Sequence, residues 1–312
     1  MYKSILAAAA AAVFFFSCVA YGQVATATRP AITGISHVTV YANDLPKSES
    51  FYGPLLGWVQ VPSAGAASGV RFYANHSQYV ELIAPPTQED PADRLVSVAF
   101  ETKDAEALRR FLAAHGVTVP AKVTVEKDGS QDFMTSDPEG NKVEFTQDGK
   151  RSPKQPASGA RPLSTHIIHV GYMIRDRAKA DSFYKDLLGF RLYWQGGQKD
   201  GATNYVAMQV PDGTDWMEYM LTMPEHPSRG NLGVANHFAP GVVSVAETQS
   251  GLEERGWKPS AHEHTQIGRD GKWQLNLYDP DGTRVEFMEF KPVNTPCCNP
   301  FTGPQPSPSA GW

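Results

Sequence analysis

Along the chain, short stretches of alternating apolar and polar residues give way to stretches with apolar residues three and four apart, and the two kinds follow one another in a fixed order. Ile35-Ser36-His37-Val38-Thr39-Val40-Tyr41 and Ile168-His169-Val170-Gly171-Tyr172-Met173-Ile174 read as strands. On a period of two, Ile168, Val170, Tyr172 and Ile174 share one face while His169, Gly171 and Met173 share the other, so His169 points away from the more apolar side. Residues 94–101 alternate as a strand, and 104–115 has helical spacing through Leu108, Phe111 and Leu112 before Gly116 stops it. Residues 236–245 and 247–255 repeat that strand and helix, closed by Gly256.

The order recurs because the chain is a tandem repeat. His37 and His169, Phe51 and Phe183, and Gly57 and Gly189 are each 132 residues apart, so Phe51-Tyr52-Gly53-Pro54-Leu55-Leu56-Gly57 matches Phe183-Tyr184-Lys185-Asp186-Leu187-Leu188-Gly189 without insertion. Both halves also end alike. Asp137-Pro138-Glu139-Gly140 leads into Val143-Glu144-Phe145, and Asp279-Pro280-Asp281-Gly282 into Val285-Glu286-Phe287, each a tight turn entering a final strand.

Composition adds an address and removes some partners. A chain of 312 residues with 41% hydrophobic and 20% charged residues suits two packed domains. A net charge of −5 without a Lys/Arg run argues against nucleic acid or an anionic membrane, leaving a small molecule as the expected ligand, and a homodimer stays open. Lys3, the apolar run 5–16 and the small residues at Ala20 and Gly22 make 1–22 a signal peptide, so the mature protein is expected to be exported, periplasmic or secreted. Lipid attachment at Cys18 ranks second, because Phe15 and Phe16 are bulky for such a site, and no later apolar run is long enough to span a bilayer. Cys297 and Cys298 are adjacent, which strains a bridge between them; two thiols in a tail are the favoured expectation, with an intermolecular disulfide open. Pro, Gly and polar residues make 149–165 a linker, and a Pro-rich tail covers 291–312, leaving domains at 32–148 and 166–290.

With its Phe-Tyr-x-x-Leu-Leu-Gly helices and Asp-Pro-x-Gly-x-x-x-Glu hairpins, the chain resembles the vicinal oxygen chelate superfamily, which includes glyoxalase I, extradiol dioxygenases and bleomycin-resistance proteins. The resemblance implies an α+β fold of four βαβββ modules in two pairs, each pair a curved mixed sheet forming a cup with helices outside. It also implies metal ligands on the first and last strands of each paired module. In the second half the matching residues are His169, Glu218, His237 and Glu286. His169 to Glu218 and His237 to Glu286 both span 49 residues, as two equivalent modules require.

Two imidazoles and two carboxylates suit a divalent ion, Ni²⁺, Zn²⁺, Fe²⁺, Mn²⁺ or Co²⁺, that would hold adjacent oxygens of a substrate. Glu286 or Glu218 is then the candidate base, the role such a Glu has in glyoxalase I. In the first half His37, Glu81 and Glu144 persist but Ser97 replaces the second imidazole, so that half is read as a degenerate copy.

Three activities compete. An extradiol dioxygenase would use His169, His237 and Glu286 for iron, but Asp270 and Asn276 stand where that group's acid/base His and Tyr belong, with His262, His264 and Tyr278 nearby. Glu218 points instead to a glyoxalase-like isomerase or lyase, although an exported enzyme meets little glutathione, and surface salt bridging is the default role of Arg175, Arg191, Lys199 and Arg269, which are available to bind its carboxylates. A non-catalytic binding or resistance protein would not need the full ligand set. Trp194, Trp216, Tyr219 and Trp273 are candidates to line an apolar pocket.

Overall fold

The computed structural model describes residues 28–63, 69–86, 90–149, 161–222 and 224–309. The segment 1–22 with Cys18, and residues 150–160 of the expected linker, lie outside them. No helix among the described residues is long and apolar enough to cross a membrane.

Two eight-stranded mixed sheets form, one from each half. The first contains β1 (Ile32–Tyr41), β2 (Val59–Pro62), β3 (Gly69–Tyr73), β4 (Tyr79–Ile83), β5 (Leu95–Thr102), β6 (Thr124–Val125), β7 (Gln131–Ser136) and β8 (Lys142–Gln147), in the order β2-β3-β4-β1-β5-β8-β7-β6. The second contains β9 (Ile167–Met173), β10 (Arg191–Gly196), β11 (Tyr205–Gln209), β12 (Trp216–Met220), β13 (His237–Val242), β14 (Thr265–Ile267), β15 (Trp273–Tyr278) and β16 (Arg284–Glu289), in the equivalent order β10-β11-β12-β9-β13-β16-β15-β14. Each sheet is therefore two βαβββ modules joined through antiparallel pairing of their first strands, β1 with β5 and β9 with β13. That pairing puts the first strands at the centre of the cup.

A helix follows the first strand of every module: α1 (Leu45–Ser50), α2 (Ala105–Ala114), α3 (Arg177–Asp181) and, after the short α4 (Arg229–Ala235) that precedes β13, α5 (Val245–Glu254). Asp44, Asp104, Asp176 and Ser244 cap these four helices by accepting a backbone N–H three residues on. The repeated Phe-Tyr motif continues α1 and α3 as π-helical turns, Phe51–Leu55 and Ser182–Leu187. Gly57, Gly116, Gly189 and Gly256 end the helical segments at φ between 78° and 89°, where a side chain would be strained.

The helix-bearing faces of both sheets share one apolar core. The repeated motifs lock it across the halves. Tyr52 of the first half donates to Asp279 of the second at 2.9 Å, and Tyr184 of the second donates to Asp137 of the first at 3.0 Å. Each tyrosine thus bonds the Asp-Pro-x-Gly turn of the other repeat, which explains why both motifs occur twice.

Two features depart from expectation. In β9, His169 pairs with Ala239 and Ile167 with Pro240, so Ile168 is the extra residue of a bulge. Ile168 consequently faces the cup with His169, packed among Trp216, Ala239 and Met288, and not the Val170 face that strict alternation assigns it. Cys297 and Cys298 are joined in a disulfide; they are not free thiols, and Cys298 takes a left-handed φ of 74°. Around this bridge the tail runs as a strap beside β10: Trp194 Nε1 donates to Cys297 O at 3.3 Å, Thr302 N to Tyr193 O at 2.9 Å, and Gln209 Nε2 to Pro304 O at 3.0 Å.

The reciprocal tyrosine pairs make a stability prediction. Tyr52→Phe and Tyr184→Phe each leave a buried aspartate without its hydroxyl donor, and each should lower unfolding free energy by about 1–2 kcal/mol. Urea denaturation followed by circular dichroism measures this, and a change near zero in both variants contradicts the interlock.

Candidate metal centre

The cup face of the second sheet gathers residues from four strands. In the parallel β12–β9 pair Glu218 lies opposite Gly171, and in the antiparallel β9–β13 pair Gly171 lies opposite His237, so these three form a row across the sheet. His169 is two residues along β9 from Gly171, and Glu286 enters from β16 on the far side of β13. The row works only because its centre is glycine. A Cβ at position 171 would fall 2.2 Å from His237 Cε1 and 2.3 Å from Nδ1, so the imidazole occupies the volume that any other side chain would fill.

His169 Nε2 lies 3.0 Å from His237 Nε2 and 3.2 Å from Glu286 Oε2, and His237 Nε2 lies 3.4 Å from the same carboxylate oxygen. Glu218 Oε2 stands 3.6 Å from His237 Nε2. All four residues proposed from the sequence therefore meet, with His169, His237 and Glu286 as the tight group. His237 Nδ1 donates to Ala235 O at 2.9 Å, which leaves the Nε2 lone pair directed at the cluster. Trp216 stacks on His169 at a centroid distance of 4.8 Å and fixes that ring.

Burial governs the ionisation. Desolvation pushes both imidazoles below the ordinary histidine value, His237 to about 3 with the Arg284 guanidinium adding to the effect. The same desolvation opposes ionisation of Glu286, but Arg284 and the two imidazoles overcome it and hold that carboxyl well below the usual range. Glu218 goes the other way: desolvation and the charge of Glu286 push it up to about 8. Two carboxyl groups in one site thus have opposite tendencies.

The donor set fits a divalent cation. Ligand atoms at right angles around an ion, each about 2.1 Å from it, are about 3 Å apart. The observed 3.0, 3.2 and 3.4 Å match that spacing.

Beside the group opens a cavity of about 330 Å³, walled by Trp194, Tyr205, Trp216, Met288 and Phe301 and by the polar groups of Glu218, Asp270, Arg284 and Glu286. Trp194 and Trp216 line it as expected. Tyr219 and Trp273 do not, because their strand positions turn them to the helix-side core. His262, His264 and Tyr278 are also absent from its wall, while Asp270 is present. Sequence reasoning missed Arg284 and Phe301. Arg284 was legible in principle, since it precedes Glu286 by two residues and so shares its face; Phe301 comes from the strap, whose path no periodicity encodes.

The first cup is much smaller, with a cavity of about 40 Å³ beside Arg71 and Tyr79. His37 Nε2 pairs with Glu144 at 3.4 Å, but Ser97 leaves no second imidazole, and Thr39, opposite Ser97, stands where the second half has Gly171. Arg71 takes the position of Ala207 and pairs with Glu81 at 3.2 Å, placing a guanidinium where the second cup has open space.

A family model for the Glyoxalase/Bleomycin resistance protein/Dioxygenase superfamily matches residues 34–145 and 166–287. The chain belongs to that superfamily. Among solved structures this vicinal oxygen chelate protein is similar to the Mn(II)-bound glyoxalase from Novosphingobium aromaticivorans, with 18% identity and a TM-score of 0.63 over 83% of each chain. It is likewise similar to homoprotocatechuate 2,3-dioxygenase from Arthrobacter globiformis, with 18% identity and a TM-score of 0.62 over 85% of this chain and 82% of that one. The same enzyme from Brevibacterium fuscum, in complex with 3,4-dihydroxyphenylacetate, has 18% identity and a TM-score of 0.60 over 84% of this chain and 82% of that one. At such identity these likenesses establish the fold. No curated protein matches the chain.

The close approach at Gly171 predicts its own test. Gly171→Ala should fold yet push His237 off the group, weakening Mn(II) binding by about tenfold to a hundredfold, the scale seen when a ligand's orientation is lost. Calorimetric titration of both proteins with Mn(II) reads the change, and equal affinities contradict the placement of His237.

Proposed function

We propose that this protein is an exported, glyoxalase-like metalloenzyme that binds the adjacent oxygens of a small substrate on a divalent metal and catalyses isomerisation or lyase chemistry by proton transfer. The observation that carries the reading is the convergence of His169, His237 and Glu286, with Glu218 at the edge of the same group and facing the cavity. An ion held there would act as a Lewis acid, stabilising negative charge that develops on substrate oxygens.

The chain's own residues supply the rest. Trp216 and the Ala235 carbonyl hold the two imidazoles, leaving their Nε2 atoms for the ion. Glu218 stands 3.6 Å from His237 at the edge of the group, and a cation beside it would favour its ionised form, whose carboxylate would then take a proton from a carbon beside a substrate carbonyl and return it to a neighbouring atom. Trp194, Tyr205 and Phe301 give the cavity beside the group an apolar wall. The apolar run 5–16 and the Cys297–Cys298 disulfide support the exported address.

A second reading is an extradiol-type Fe(II) dioxygenase, which the tight two-His, one-Glu group favours. Against it, Asp270 and Asn276 occupy the places of the acid/base His and Tyr, and the nearby His262 and His264 lie outside the cavity wall.

Metal analysis and oxygen uptake test the proposal. Purified protein supplied with divalent metals should hold one ion per chain, His237→Ala should hold almost none, and no oxygen should be consumed with catechols. A metal-free wild type that still binds ligands supports a sequestration protein instead, and oxygen uptake coupled to ring cleavage supports the dioxygenase.

A further inference from the structure

Arg284 is the one guanidinium in the cavity wall, among the described residues, whose donors are not committed to strong acceptors. Arg269 also lines the cavity, but it donates to Gly197 O at 3.0 Å and pairs with Asp200. Lys272 is buried behind the wall with its ammonium on Phe290 O at 3.0 Å and over the Trp216 ring at 4.9 Å. Arg284, by contrast, has a buried Nε without a partner, reaches Asn276 Oδ1 only at 3.5 Å, and lies 3.8 Å from Glu286. Its short contacts are both from Nη2 to the His237 ring, at 2.8 Å from Nε2 and 3.0 Å from Nδ1; Nδ1 donates to Ala235 O, so Nε2 is the atom that accepts.

That contact uses the lone pair that the metal group needs. One lone pair serves one partner, so a cation taken by His237 Nε2 releases the guanidinium and leaves a permanently charged, planar donor set beside the ion without an acceptor. A side chain of this kind, 11% exposed, calls for an anion with two oxygens. Distance restricts which anion fits. Because the guanidinium reaches atoms of the group itself, a carboxylate seated on it has an oxygen against the metal position, and its nearest vicinal oxygen is on the neighbouring carbon.

We propose that Arg284 anchors the carboxylate of a 2-oxo or 2-hydroxy acid, and that the cavity walled by Trp194, Tyr205 and Phe301 takes an apolar or aromatic remainder. Its volume of about 330 Å³ suits a small acid of this class. The assignment rests on the metal reading above, and it gives that reading a substrate class.

Three probes of one skeleton test it on the full chain with Mn(II) supplied: mandelate, its neutral diol counterpart 1-phenyl-1,2-ethanediol, and phenylacetate, which keeps the carboxylate but lacks the second oxygen. Dissociation constants come from tryptophan fluorescence, and Mn(II) content is measured on the same samples. Mandelate should bind at least about tenfold more tightly than either comparator, the scale of a charge-assisted bidentate contact. Arg284→Gln should erase the preference over the diol while leaving Mn(II) content and the diol's affinity within about threefold, since the ion's three donors remain. Arg284→Lys should keep only part of the preference, because it keeps the charge but not the fork, and it decides the matter should the Gln variant fail to fold. Equal binding of mandelate and diol by the wild type, or an undiminished preference in the folded variants, overturns the role of Arg284; phenylacetate binding as tightly as mandelate overturns the 2-oxygen requirement. A wild type that takes up no Mn(II) overturns the metal reading and, because release of Arg284 depends on the ion, this assignment with it; the Mn(II) content separates that failure from a failure of Arg284 alone.

Discussion

Glu286 is a carboxylate sunk among apolar strands, and the arrangement around it is governed by the need to supply positive charge there. An isolated buried carboxylate would protonate or destabilise the fold. Here the Arg284 guanidinium supplies the charge and the imidazoles add hydrogen bonds, which together overcome desolvation. The imidazoles are themselves kept neutral by burial, which removes them as charge donors and leaves them as lone-pair donors. Such a site has one permanent cation, Arg284, and spacing suited to a second. The proposed substrate class follows from that balance.

The two halves form an internal comparison in which the same scaffold meets the constraint in different ways. In the second, Gly171 makes room for His237 and Ala207 leaves a cavity in front of Glu218. In the first, Thr39 and Ser97 replace the glycine and histidine, and Arg71 fills the space while neutralising Glu81. Losing the second imidazole therefore goes with losing the glycine beneath it, and a resident guanidinium stands where the other cup is open. The halves stay interdependent all the same, because each repeated tyrosine bonds the other half's turn.

The sequence made the repeat, the four modules and the four converging residues readable, because a spacing of 132 residues and equal intervals of 49 survive in a one-dimensional string. What it hid has physical reasons. The bulge at Ile168 breaks strict alternation without changing composition, since an isoleucine suits either face of a buried sheet. The Pro-rich strap carries no period, so neither its path along β10 nor the place of Phe301 in the cavity wall can be inferred from spacing. Adjacent cysteines looked unsuited to pairing, yet the left-handed backbone at Cys298 accommodates the bridge. Trp273 and Trp216 look alike as letters, and only register sends one to the core and the other to the cup.

An anomalous difference map from crystals grown with Mn(II) tests the central claim most directly. The account predicts one strong peak in the second cup, at bonding distance from His169 Nε2, His237 Nε2 and a Glu286 oxygen, with the Arg284 guanidinium moved off His237. A second cup without a peak, or a peak at His37 and Glu144 in the first, would contradict it.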